Sequence, residues 1–307
     1  MLPGLQKIAV VGAGAVGGYY GARLAQHGLD LHFLLRADYD AVAREGWKIQ
    51  SVDGDFDLRP NQMHVYRRAE QMPVVDLVIV ALKTTSNDQF QSLIGPLIGE
   101  KTRIVTLQNG LGNEQMLAEL FGGRRVLGGL AFTCINRTGP GQIRHMDHGL
   151  IRLGCYEPGH ESDAAAIADL FNRSKIRCEV LADLRYGRWE KLIWNVPFNG
   201  LGAALDLTAD RLIANSHGTS LVTDLMGEII ATARSIGVEL PAELIRLKIE
   251  QTRTMGAYKT SMQIDRQCGR PMEIEAIIAK PLAIAREQGV ATPLLAVLYH
   301  ALTVLGT

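Results

Sequence analysis

The sequence predicts two halves of different class: an α/β half built on a largely parallel sheet, then an all-helical half. Three observations carry this. A run of apolar and β-branched residues from Lys7 to Val11 stops at Gly12 and gives way to a helical pattern from Ala15 to His27. Strand-like apolar runs then recur, alternating with helical stretches, as in a parallel sheet with crossovers. Beyond about Asp183 strand signals cease, and amphipathic helical segments follow one another. The boundary divides residues 1–183 from residues 184–307.

Taken in order, Leu31–Leu35 reads as a second strand and Asp40–Arg44 as a short helix. Trp47–Gln50 and Phe56–Arg59 form a hairpin signalled by Asp53-Gly54. Asp76–Leu82 is apolar after its first residue, as a strand covered on both faces should be. Arg103–Leu107 follows, then strands around Gly139-Pro140-Gly141 between Val126 and Cys155. His145 and His148 lie in or near that hairpin and are read as structural or exposed, with no catalytic role. A helix over Asp163–Asn172 and a strand over Arg177–Leu181 end the first half. The second half offers helices at Arg185–Leu205, Ser220–Ile236, Ala242–Thr252, Glu273–Gln288 and Leu294–Leu305.

Composition narrows the function. Lys+Arg and Asp+Glu are both 32, so no electrostatic footprint for nucleic acid or an anionic membrane is present. No apolar run is long enough to span a bilayer. The first strand begins by Lys7, so no signal peptide is expected and the expected location is the cytoplasm. Cys134, Cys155, Cys178 and Cys268 stand far apart without a C-x-x-C pair. That suits a reducing compartment and argues against a zinc site, and no metal is expected.

The chemistry starts at Gly12-Ala13-Gly14-Ala15-Val16-Gly17, a G-x-G-x-x-G motif between a strand and a helix. Gly12 permits the tight turn, Gly14 lets backbone approach a pyrophosphate, and Gly17 lets helix and strand pack closely. This is the fingerprint of a Rossmann-type dinucleotide site, with the helix N-terminus facing the phosphates. The second strand runs into Arg36, where NAD-preferring proteins usually carry an acid. Arg36 suits the 2′-phosphate of NADPH; Asp38 nearby is the alternative, NAD-type reading. Lys83 and Asn109 follow the ends of later strands, where ligands of open α/β sheets bind. In the helical half Lys191, Asn195 and Asn199 are spaced i, i+4, i+8, within roughly an 80° arc of one helix face. Their neighbours Leu192, Ile193, Trp194, Val196 and Phe198 are built for burial, which favours a ligand-facing row over a solvated stripe. A lysine beside a nicotinamide has the chemistry of a general acid for carbonyl reduction. Glu273 opens a later helix, where an acid also suits the helix dipole.

Together these pieces resemble the ketopantoate reductases (2-dehydropantoate 2-reductases) along nearly the whole chain. The matching residues are the glycine motif, Leu82-Lys83-Thr84, Gln108-Asn109-Gly110, the Lys191/Asn195/Asn199 row, Ser261-Met262 and Glu273-Ile274. The resemblance implies a Rossmann domain followed by an all-helical domain, and NADPH-dependent reduction of the 2-oxo group of ketopantoate to pantoate. It implies Lys191 as proton donor, and Asn195, Asn199 and Ser261 as substrate ligands. Asn109 would touch cofactor and substrate, Glu273 would support the cofactor or a substrate hydroxyl, and Arg36 and Lys83 would serve the cofactor. Family members occur as monomers and as dimers joined through the helical domain, and a homodimer is the expectation carried forward. Two departures fall near the expected substrate wall. Tyr258 stands where well-studied members carry an Asn, and Ile278 and Ala279 stand where an Asn-Gly pair is common. They keep open a different 2-oxo acid as substrate; a non-catalytic NADP(H)-binding module is the third reading. Arg36→Ala is expected to raise the KM for NADPH roughly ten- to a hundredfold and to leave the KM for NADH nearly unchanged. Equal effects on both would remove Arg36 from phosphate recognition.

Overall fold

The structure, a computed structural model, describes residues 4–306. Two compact units are present: residues up to Gln108 with Asn113–Leu184, and Asn109–Gly112 with the residues from Arg185 onward.

The first unit is built on strands β1 (Lys7–Val11), β2 (Asp30–Leu34), β3 (Trp47–Ser51), β4 (Phe56–Leu58), β5 (His64–Tyr66), β6 (Val75–Val80), β7 (Ile98–Thr106), β8 (Val126–Gly139), β9 (Gln142–Cys155) and β10 (Cys178–Val180). Across the sheet the order is β4-β3-β9-β8-β7-β6-β1-β2-β5, with β10 beside β9. From β5 to β8 every pairing is parallel. The long β8–β9 hairpin and the β3–β4 hairpin are antiparallel. Helices α1 (Ala15–Gln26), α2 (Tyr39–Glu45), α3 (Phe90–Ile94), α4 (Asn113–Phe121) and α5 (Glu161–Arg173) complete the unit.

Alternation along β1 explains why its sequence reads as one apolar run. Ile8 and Val10 enter a core with Tyr20 and Leu24 of α1 and Phe171 of α5. Ala9 and Val11 enter a second core with Phe90 and Ile94 of α3 and Leu117 of α4. A strand covered on both faces has no place for a polar residue. His145 is buried and exchanges a 2.9 Å hydrogen bond with Ser51 Oγ, tying β9 to β3 as a structural residue would.

The second unit is helical: α6 (Leu184–Leu205), α7 (Ala209–Leu212), α8 (Ser216–Ser235), α9 (Glu243–Arg253), α10 (Ser261–Gln267), α11 (Lys280–Glu287) and α12 (Pro293–Leu305), with a π-helical turn at Glu275–Ala279 leading into α11. Its core gathers Trp189, Leu192, Ile193, Val196 and Phe198 of α6 around Leu225, Met226 and Ile229 of α8 and Leu298 of α12. Among the described residues no helix is long and apolar enough to cross a membrane.

The long elements fall within a few residues of their sequence expectations. Sequence reading passes over β5, α3, α4, α7 and α10, which span three to nine residues. Segments that short hold too little periodicity to register.

Candidate active site

In the first unit the glycine turn has the geometry its spacing predicts. Gly12 has φ +92°, and a Cβ there would lie 2.4 Å from the backbone nitrogen of Leu82. A Cβ on Gly17 would lie 2.5 Å from the Gly12 carbonyl oxygen, so the helix reaches the strand only because both are glycines. Gly14 is the N-cap of α1, with no side-chain cap and no acid in the first turn. The first N–H groups of a helix lack intrahelical partners, and the dipole adds positive charge there. These residues fit a pyrophosphate.

Arg36 follows β2 and is exposed, as is Lys83 just after β6. Asp38 is buried instead, and its carboxylate is taken by the guanidinium of Arg137: Arg137 Nε donates to Oδ2 at 2.7 Å and Nη2 to Oδ1. A carboxylate held by a forked guanidinium has little capacity left for a ribose diol. That removes the NAD-type alternative. No local signal in the sequence links residue 38 to residue 137.

In the second unit α6 is enclosed by the core, and its polar row goes inside with it. Lys191 is 9% exposed, Asn195 6% and Asn199 3%. Pro197 interrupts the helix's own donors among them. Asn199 Oδ1 accepts from Ser261 Oγ at 3.4 Å and from the Met262 N–H at 3.5 Å, which joins two separately predicted site residues at the start of α10.

The Lys191 ammonium is pushed down to about 7, by burial first and then by the charge of Arg188, while Glu273 pulls the other way. Arg188 lies one turn earlier on α6 and is buried. Sequence reading passes it over, although i, i+3 spacing puts two cations on one face. Beside the row, Trp194 stacks on Phe198 with ring centroids 4.8 Å apart, and Tyr258 approaches Trp194 at 6.3 Å. Trp194 Nε1 donates to Thr252 Oγ1 at 2.9 Å and so is held against α9.

Glu273 is buried immediately before the π turn. There the Lys280 N–H bonds to the Glu275 carbonyl, five residues back. In the same pattern the Ala276 carbonyl would need the N–H of residue 281, which is proline and has none. The Leu111 N–H takes that carbonyl at 2.9 Å. Gly110, at φ +80°, leaves room for it: a Cβ there would lie 2.4 Å from the same oxygen. Asn109 is thereby anchored beside residues 273–281, and sequence reading has no rule that pairs a proline with a distant loop.

The sheet with its phosphate-ready turn, and the helical unit with its buried row, define a two-part oxidoreductase of the Rossmann class. The model for "Ketopantoate reductase PanE/ApbA" matches residues 8–158, and that for "Ketopantoate reductase PanE/ApbA C terminal" matches residues 183–305. A 2-dehydropantoate 2-reductase of Nostoc sp. is 42% identical over 97% of this chain and 94% of its own length. The crystal structure of 2-dehydropantoate 2-reductase from Geobacter metallireducens superposes with a TM-score of 0.94 at 44% identity, covering 97% of this chain and 99% of that one. That from Methylococcus capsulatus gives a TM-score of 0.87 at 32% identity, over 97% and 96%. The chain belongs to the ketopantoate reductase family.

The lysine makes a stability signature. Its folded pKa near 7 lies below the ordinary 10.5, so between those values the unfolded chain holds a proton that the folded chain has lost. Stability therefore rises with pH across that window, and below it the full cost of burying the ammonium is present. Lys191→Met is expected to raise Tm more at about pH 6 than at about pH 9. An equal shift at both would mean that the ammonium is not desolvated by the fold.

Proposed function

We propose that this chain reduces the 2-oxo group of ketopantoate to pantoate with NADPH, and that Lys191 supplies the proton. The observation that carries the reading is the enclosed Lys191/Asn195/Asn199 row, whose lysine is poised near neutral pH. Backbone N–H groups of Gly12–Gly17 hold the pyrophosphate, Arg36 pairs with the 2′-phosphate, and Lys83 and Asn109 complete the cofactor contacts. When bound, NADPH supplies the hydride that goes to the carbonyl carbon. Asn195, Asn199 and Ser261 hold the substrate, with Asn109 reaching it as well. Lys191 Nζ gives its proton to the carbonyl oxygen as negative charge develops there, and regains one from solvent. Glu273 steadies the ammonium and supports the cofactor or a substrate hydroxyl.

In this reading residues 1–183 are the NADP-binding domain and residues 184–307 the substrate and dimerisation domain. The setting is the cytoplasm, and the assembly is a homodimer through the helical domain. Val297 and Val304 of α12 and Leu247 of α9, all exposed, suit such a contact. A second reading keeps the chemistry but changes the 2-oxo acid. It is favoured by the aromatic group of Trp194, Phe198 and Tyr258 beside the row, which suits a bulkier or aromatic side chain.

Lys191→Ala is expected to lower kcat by about 10²–10⁴ while NADPH still binds, as followed by cofactor fluorescence. Retained turnover would reject the assigned acid. The acid acts in its protonated form, so kcat/KM should fall as pH rises through about 7. In a panel of 2-oxo acids at fixed NADPH, ketopantoate is expected to rank first; an aryl 2-oxo acid ranking above it would favour the second reading.

A further inference from the structure

The start of β2 carries a cluster for which the reductase reading has no use. Asp30 and His32 are two residues apart on one strand and so share a face of the sheet. His64 on β5 pairs with His32 in register, and the two imidazoles stack with centroids 4.7 Å apart. Asp30 Oδ1 lies 3.1 Å from His32 Nε2 and 3.3 Å from His64 Nε2. One ligand atom from each residue falls within 4.8 Å of the others. Ligands about 2.0–2.1 Å from a tetrahedral zinc ion stand roughly 3.3 Å apart, so the two measured separations are close to edges of such a tetrahedron.

His32 is 4% exposed. Its Nε2 is fully buried and, though near Asp30, makes no hydrogen bond of good geometry among the described residues. The other ring nitrogen is engaged by the Tyr66 hydroxyl at 3.1 Å, the kind of outer contact that orients a ligating imidazole. Asp30 is partly exposed and His64 exposed, which gives an ion access and lets the His64 ring turn toward it. Lys7, in register with Asp30 on β1, is a cation whose charge reaches His32, which keeps the expected affinity modest.

We propose that Asp30, His32 and His64 form a binding site for a divalent transition metal, with Zn2+ as the expected occupant and water completing the shell. Two imidazoles and a carboxylate suit that class of ion, and no cysteine takes part. Asp30 begins β2, whereas the glycine turn and Arg36 lie at the strands' other ends, roughly 13 Å or more away. The ion is therefore structural. It ties the three-residue edge strand β5 to the sheet.

The test is calorimetric titration of tag-free, chelator-treated chain with Zn2+ alone. One equivalent should bind and raise Tm, and Co2+ in its place should give the visible absorption of a tetrahedral site. His64→Ala and Asp30→Asn, both at solvent-accessible positions, should each weaken Zn2+ binding at least about tenfold. Binding that survives both substitutions undiminished, or no saturable binding to the unsubstituted chain, overturns the site.

Discussion

The constraint on which this molecule turns is the enclosure of an ionisable amine in the middle of a helix packed into an apolar core. Helix α6 is surrounded by the core of the helical unit, and Lys191, Asn195 and Asn199 are carried inside by their spacing. A buried ammonium is costly, and the fold answers by lowering its proton affinity. The consequence is chemical. A lysine with a pKa near 7 exchanges protons at neutral pH, whereas an ordinary one does not. Stability and reactivity are thus opposed in one side chain, a trade-off common at functional sites.

Around that lysine the supporting contacts are short-range and specific. Ser261 and the Met262 N–H fix the Asn199 amide. Thr252 fixes Trp194, and the half-buried Glu190–Lys248 pair at 2.9 Å holds α6 to α9. The π turn does more than widen a helix. With proline at position 281, the Ala276 carbonyl loses its helical donor and the loop at Leu111 supplies one. A backbone irregularity here positions Asn109, in keeping with the frequent placement of π turns at functional sites.

Much of this was legible in the sequence because it is local. The glycine turn, the strand that ends at Arg36 and the polar row on α6 are all patterns within about a dozen residues, where period and turn chemistry are informative. What stayed hidden is long-range. The Asp38–Arg137 pair crosses 99 residues, and it occupies the acid that an NAD-type reading of the second strand would need. The latch between Leu111 and Ala276 is of the same kind, as is the pairing of His32 with His64, which depends on a three-residue strand. The i, i+4, i+8 spacing showed that three polar residues share a face; whether that face met water or core was settled by packing.

The fold itself, before any ligand binds, lowers the proton affinity of Lys191. The most direct measurement is an NMR titration of the Lys191 side chain in the unliganded protein, assigned by comparison with Lys191→Met. The expected midpoint is near 7. A midpoint near 10.5, the ordinary lysine value, would contradict it.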